Sequence, residues 1–458
     1  MHDGVLTRDA AMLVVPELAE SFEQIDDVTW EATLRDGVTF HDGSPMTAED
    51  VVFTFRRLID ENAMDGQTSP RKSLLGPLTS VEAVDDKTVR FTLSEAWPIL
   101  PAMLPFQEVV SKSFTEAAGA GGLAEQVNGT GPFKLTEWRK GEAVIMERYD
   151  GYYGGAASIE PVGPACVERV IFQIVPESAS RVAALLAGDV HIINELPPSD
   201  MATVEESGTA KVMTANGTRS FYIALNQERP PFDNPLVRQA ASHAIDKDLI
   251  IDKILNGLAT PISGILSPAA FGHDDSLAGY GYDLEKAKAL RDEAGFADGI
   301  DVTMDVEGAF KDIAEAVASL LTKAGIRTTV QVGEGSQLVE KWRTKGEKPR
   351  EGDMWFTSWG NGSLDPFGIF HPVLMTDARG NSSGYANAEL DEILTKAGTE
   401  SDRAAREDLY KQAQQLVQAD APMVFLWVPQ DVYGVSTQVS GWQPSSDSRI
   451  NLHDACLG

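Results

Sequence analysis

The residues with the best claim to chemistry lie in Gly352–Pro366, GDMWFTSWGNGSLDP. Met354–Thr357 reads as a short buried strand. Gly360, Asn361, Gly362 and Ser363 then break the pattern, and Asp365-Pro366 reads as a turn. Trp355 lies on the strand and Trp359 at its exit, the end of an α/β strand beyond which ligands bind. An indole there is a flat apolar wall, and glycines beside it let backbone groups come close to a bound molecule. The chemistry on offer is recognition by stacking and amide contacts. The same residues would also serve as core tryptophans followed by a plain turn.

Bond-breaking chemistry finds no comparable constellation. The seven histidines are His2, His41, His191, His243, His273, His371 and His453, and no two have the spacing of a metal-binding pair. No Gly-x-Ser-x-Gly elbow is present, and no Gly-x-Gly-x-x-Gly opens a helix after a strand. His41-Asp42 reads as a turn. His371 reads as a packed or solvent histidine, with a cleft-facing role as the alternative. Asn128–Phe133, NGTGPF, fixes a tight turn and lacks the Gly-Lys-Ser/Thr of a phosphate cradle. No catalytic residue, metal site or cofactor is expected. The two cysteines, Cys166 and Cys456, are either separate buried thiols or one bridge made in an oxidising compartment.

Those residues must be positioned by a chain of 458 residues, which is long enough for two or three domains. Asp and Glu number 69 against 38 Lys and Arg, a net charge of −31. That balance disfavours nucleic acid and anionic membrane surfaces as partners. No 18-residue apolar window spans a bilayer. Met1-His2-Asp3 carries no basic leader region and Ala10–Val15 is too short for an apolar one, so an exported form would be the mature chain.

Thr29–Leu34 alternates as a half-buried strand. Thr47-Ala48-Glu49-Asp50 is a capping box ahead of a helix at Val51–Leu58. Lys87–Leu93 is a strand, and Gly119–Gly122 a flexible seam. Val167–Val175, Ser178–Leu186 and Val190–Ile193 read as a βαβ unit. Ser220–Asn226 is a strand. Pro235 opens a helix behind an Asn or Asp cap, and Asp246 caps the next. Val302–Val306, Ile313–Lys323 and Ile326–Val332 form a second α/β region leading to Met354–Thr357. Ala388–Ala397 and Arg403–Ala419 are amphipathic helices, and Met423–Val428 and Val432–Val439 are strands. Two α/β regions imply two lobes with a cleft between them.

Several stretches, in order along nearly the whole chain, resemble one family, the bacterial extracellular solute-binding proteins of family 5. They are VPELAESFE at Val15–Glu23, LRDGVTFHDGSPMTAEDVVFTFRRL at Leu34–Leu58 and NGTGPFKLTEW at Asn128–Trp138. NQERPPFDNPLVRQAASHAIDKDLIIDKILNG at Asn226–Gly257, DLEKAKALRDEAGF at Asp283–Phe296, SWGNGSLDP at Ser358–Pro366 and GYANAELD at Gly384–Asp391 complete the set. The resemblance implies an α/β, two-lobed periplasmic-binding-protein (venus-flytrap) fold with an extra small α+β domain. The first lobe would be 1–15, 127–226 and 441–458, the extra domain 16–126, and the second lobe 227–440. Cys166 and Cys456 then share a lobe, where one disulfide could join them.

The function implied is that of a monomeric, periplasmic receptor for an ABC importer. It would capture a peptide or related solute between the lobes and deliver it to the membrane permease. Oligosaccharide, opine and nickel-complex ligands are the alternatives, with a cleft hydrolase further off. Ligand contacts are expected from Trp359, Gly360 and Asn361, with Trp355, Gly362, Ser363, Asp365, Tyr222 and Asn226 beside them. Peptide binders of the family usually hold the ligand's α-amino group with an aspartate three residues after the loop tryptophan, and some place an arginine three residues before it. Here those positions are Gly362 and Phe356, so the usual amine anchor is missing.

Overall fold

A computed structural model describes residues 1–64, 66–69, 71–123, 125–343 and 350–458. The chain divides into two compact units, Met1–Ala215 with Val432–Gly458, and Asn216–Asp431.

In the first unit, Ala19–Asp26, Thr29–Leu34, Thr88–Leu93 and Leu78–Ala83 form an antiparallel sheet in that order. Thr29–Leu34 alternates as its pattern requires, with Trp30, Ala32 and Leu34 buried. The helix Ala48–Ile59 starts at Thr47, whose backbone N–H donates to Asp50 Oδ2 at 2.9 Å. Its buried Phe55 meets Phe91 of the sheet edge-on, with ring centroids 5.0 Å apart. A three-stranded antiparallel sheet follows, made of Phe133–Arg139, Ala143–Arg148 and Arg169–Gln173. A disulfide joins Cys166 to Cys456, Cα atoms 5.2 Å apart. It fastens the segment ahead of Arg169–Gln173 to the strand Cys456–Leu457.

Two expectations are corrected here. Arg169–Gln173, the helix Ser178–Ala187 and Ile192–Ile193 are not a βαβ unit. The first strand pairs antiparallel with Ala143–Arg148 and the second with Gly434 and Val435 of another strand, so they belong to different sheets. Gly119–Gly122 is not a seam. Lys112–Leu123 is helical on both sides of a kink at Gly119, and the chain does not change unit there.

In the second unit, Ile300–Glu307 lies between Ile326–Gly333 and Met354–Gly360, parallel to both. Arg219–Leu225 pairs antiparallel with Met354–Gly360 on one side and with Met423–Trp427 on the other. Phe221, Ile223, Leu225, Met354 and Phe356 all enter one core with Val237, Ala241, Val317 and Leu321, as same-face residues of paired strands must. Asn234 caps the helix Pro235–His243 by accepting from Leu236 N, and Asp246 caps Lys247–Lys253. The two compact units meet at Ala215/Asn216 and Asp431/Val432. Arg219–Leu225 is hydrogen-bonded on both edges within the second unit, and Val435 already pairs with Ile192 in the first. Met423–Ser436 is one continuous strand where two were expected.

Candidate ligand-binding site

The pleat of Met354–Gly360 sorts its side chains. Met354 and Phe356 go to the helix-covered core, and Trp355, Thr357 and Trp359 take the other face. Tyr222, opposite Thr357, joins them from the neighbouring strand. Trp355 is fully buried and stacks on Trp342 with centroids 6.0 Å apart. Trp342 Nε1 donates to Asp305 Oδ2 at 2.8 Å, which fixes that lower layer. Trp355 is thus sealed into the fold and is not a wall for a ligand.

Trp359, at the strand exit, is half-buried. Its Nε1 donates to the Gly368 carbonyl at 3.0 Å, which sets the plane of the ring. The Arg343 guanidinium carbon lies 4.9 Å from the ring centroid and that of Arg379 5.1 Å from it. Arg343 also sits 4.8 Å from the Trp355 centroid. A Cβ at Gly380 would come 2.6 Å from the Trp359 ring, so only glycine lets that segment lie against the indole.

Tyr222 is fully buried, and its hydroxyl lies against the Arg343 guanidinium. Burial pushes the phenol up to about 12, against the pull of Arg343 and Arg219. Burial is also the main reason the Arg343 guanidinium is held below its ordinary value. Tyr222 opposes that effect, and Arg379 and Arg219 add to it. Arg219, facing Gly360 across the strand pair, donates to Ser358 Oγ at 3.2 Å.

The loop after the strand spends its polar groups on itself. Asn361 Nδ2 donates to the Asp365 carbonyl at 3.0 Å, and Ser363 Oγ donates to Asn361 Oδ1 at 2.9 Å. The backbone N–H of Asp365 donates to Ser363 Oγ. Arg406 Nη1 and Nη2 donate to the Asp365 carboxylate at 2.9 and 2.6 Å, a forked pair with both side chains buried. Asn361, Ser363 and Asp365 therefore shape the turn instead of offering free groups to a ligand. Gly360 is exposed and Gly362 half-buried. Asn226 is likewise committed. Its Nδ2 donates to the carbonyls of Arg350 and Gly352, and its Oδ1 accepts from Glu228 N.

His371 does not join this cluster. It lies against Phe367, ring centroids 3.9 Å apart, with Gly398 of the next helix over it. Burial lowers its pKa to about 4. Among the described residues no three His, Cys, Asp or Glu side chains are placed to hold a metal ion, and no helix is long and apolar enough to cross a membrane. Of the expected residues, Trp359 and Tyr222 converge, with Gly360 and Gly362 beside them. The partners that sequence reasoning missed are Arg343, Arg379 and Arg219. Nothing in their local sequence marks them, because only the strand register and the Gly380 approach bring them together.

The model of the bacterial extracellular solute-binding proteins, family 5, matches residues 14–381. The chain is 30% identical to heme-binding protein A of Haemophilus influenzae, over 91% of this chain and 78% of that one. It is 27% identical to the glutathione-binding protein GsiB of Pectobacterium atrosepticum, over 100% of this chain and 88% of the relative. The solved structure of HbpA2 from Haemophilus parasuis superposes with a TM-score of 0.89 at 26% identity, covering 100% of this chain and 94% of that one.

Proposed function

The chain belongs to the bacterial extracellular solute-binding proteins of family 5, and on that premise we propose that it captures a small organic solute outside the cytoplasm and passes it to the permease of an ABC importer. The observation that carries this reading is the Trp359 indole. It is locked in plane by Gly368, only half covered, and set at the carboxyl end of a parallel strand. A side chain held so rigidly and still partly exposed suits contact with a planar or apolar group. The periplasm or a cell surface is the compartment proposed. The Cys166–Cys456 disulfide and the net charge of −31 both suit it. We propose a monomer that binds without turnover.

Relatives named for heme and for glutathione define the first ligands to try. A thermal-shift screen would hold hemin, glutathione, dipeptides, an opine, a maltooligosaccharide and nickel–histidine. A ligand at a thousand times its dissociation constant adds about 4 kcal/mol to folded stability, a rise of several degrees. Recovery of the ligand unchanged after hours of incubation is expected, and its conversion would favour a hydrolase. Trp359→Ala should weaken binding at least tenfold and leave the unfolding transition in place. Normal binding by that variant would remove Trp359 from the site.

A further inference from the structure

We propose that this site selects its solute by negative charge, with a carboxylate of the ligand held by Arg343 and Arg379 beside the Tyr222 hydroxyl, and with Trp359 against the adjoining apolar or planar part. The proposal rests on the reading that this face binds the transported solute.

Three observations carry it. The first is the pair of guanidiniums held against one indole, 4.9 and 5.1 Å from its centroid. Like charges near one another repel, and an anion bound close to both relieves that repulsion. The second is that, among the described residues, neither guanidinium forms an ion pair with a carboxylate. Asp and Glu outnumber Lys and Arg, 69 to 38. Elsewhere in the same unit Arg406 pairs with Asp365, Arg350 with Glu228 and Arg229 with Asp353. Among the described residues no carboxylate bonds Arg343; the side chains that act on it are Tyr222, Arg379 and Arg219. The third is an idle buried donor. Arg343 Nε has no hydrogen-bond partner among the described residues, and the fully buried Tyr222 hydroxyl has only the Arg343 guanidinium near it to bond. A buried donor left empty in the free protein is expensive unless a ligand fills it.

The same geometry argues against an ammonium in this position. Gly362 has no side chain, and Asp365 is already forked onto Arg406. A guanidinium fork matches a carboxylate bidentately, so the residues that converge favour an acid over an amine.

The test compares N-acetyl-Ala-Phe, which has a carboxylate and no amine, with Ala-Phe-amide, which has the reverse. Glutathione, octopine and hemin are added to distinguish a peptide, an opine and a porphyrin as the source of the carboxylate. Titration calorimetry is run on the full chain and on Arg343→Gln, Arg379→Gln and the control Arg327→Gln. The control removes an exposed partner of Asp301 that makes no contact with the Trp359 ring among the described cation–ring pairs. Expected is binding of one or more acids and none of the amide. Arg343→Gln should cost about a hundredfold or more, and Arg379→Gln about tenfold. Arg327→Gln should cost nothing. Arg379 is exposed, so its variant carries the test even if Arg343→Gln fails to fold. Equal binding of the amide and the acid, or unchanged affinity in both site variants, would overturn the charge assignment while leaving the receptor reading standing. Tight binding of only an uncharged sugar would do the same. Failure of every probe, charged and uncharged, would count against both.

Discussion

Asp365 decides between two accounts of the loop, because it is the one carboxylate there that could hold a ligand's amino group. The structure commits it to Arg406 through two charge-assisted bonds of 2.9 and 2.6 Å, with the two side chains only 9% and 7% exposed. Arg406 is held further by its Nε donating to the Ala397 carbonyl at 3.1 Å. Burial pulls its guanidinium down, and Asp365, with Tyr410 beside it, more than restores it. Asp365→Asn removes the charge that compensates a buried cation. Breaking such a pair from one side costs about 3–5 kcal/mol. For a unit of the size of Asn216–Asp431, at about 2–4 °C per kcal/mol, its thermal transition should fall by roughly 6–20 °C. Urea unfolding followed by tryptophan fluorescence and circular dichroism would measure the loss. The double variant Asp365→Asn, Arg406→Met should lose less than the sum of the single losses, by about 2 kcal/mol or more, because no unpaired charge remains. Ligand affinity measured well below the transition should change by no more than a few-fold. A variant that keeps its transition within about 2 °C and loses its ligand would refute the argument, since Asp365 would then be a binding residue.

Asn226→Ala should cost about 2–4 kcal/mol in chemical denaturation without changing ligand affinity, since it strips the donor from the carbonyls of Arg350 and Gly352. His371 should make stability depend on pH. Its folded pKa of about 4 lies below the unfolded 6.5, so the unfolded chain takes up the proton first on acidification. The stabilising contribution is complete above pH 6.5 and lost as pH falls toward 4, about 3 kcal/mol in all. His371→Phe should flatten unfolding free energy against pH over that window, and an unchanged slope would assign the dependence to other groups. Replacing Cys166 and Cys456 by serine should lower the stability of the first unit by up to about 5 kcal/mol, as expected for a bond closing so long a loop. Thiol reduction of the parent should reproduce that shift in calorimetry.

Much of the fold is legible because it is punctuated locally. Thr47 and Asp50 announce the helix Ala48–Ile59, Asn234 and Pro235 announce the next unit's first helix, and the alternation of Thr29–Leu34 states which side is buried. Pairing is not local. Ser178–Ala187 between two extended segments has the look of a parallel crossover, yet one segment bonds to Ala143–Arg148 and the other to Val435. Neither short segment carries a mark of its partner. The division into units is set by the same non-local pairing. Arg219–Leu225 reads as the end of one region, while its hydrogen bonds on both edges place it inside the other.

The site divides along a similar line. Trp359 is legible as a candidate because an aromatic residue at a strand exit serves either as core or as a wall for a ligand, and here the structure leaves it partly exposed. Asn226, Asn361 and Asp365 are ambiguous in principle, since an amide or carboxylate serves a ligand and a bare backbone group equally well. In each case the nearer partner belongs to the protein: Gly352 O, Asp365 O and Arg406. The arginines are the reverse case. In a chain this acidic a guanidinium is expected to find a carboxylate, and that none of the described residues supplies one cannot be read from a sequence where carboxylates are everywhere. The missing aspartate at Gly362 therefore reads, by itself, only as the loss of an anchor. Under the proposed assignment, with Arg343 and Arg379 on the indole, it becomes half of a substitution in which a negative group for an amine is given up and positive groups for an acid are kept. A receptor altered in that way would reject the ammonium end that a carboxylate anchor selects, and its ligand would be found among acids whose amine is blocked, distant or absent.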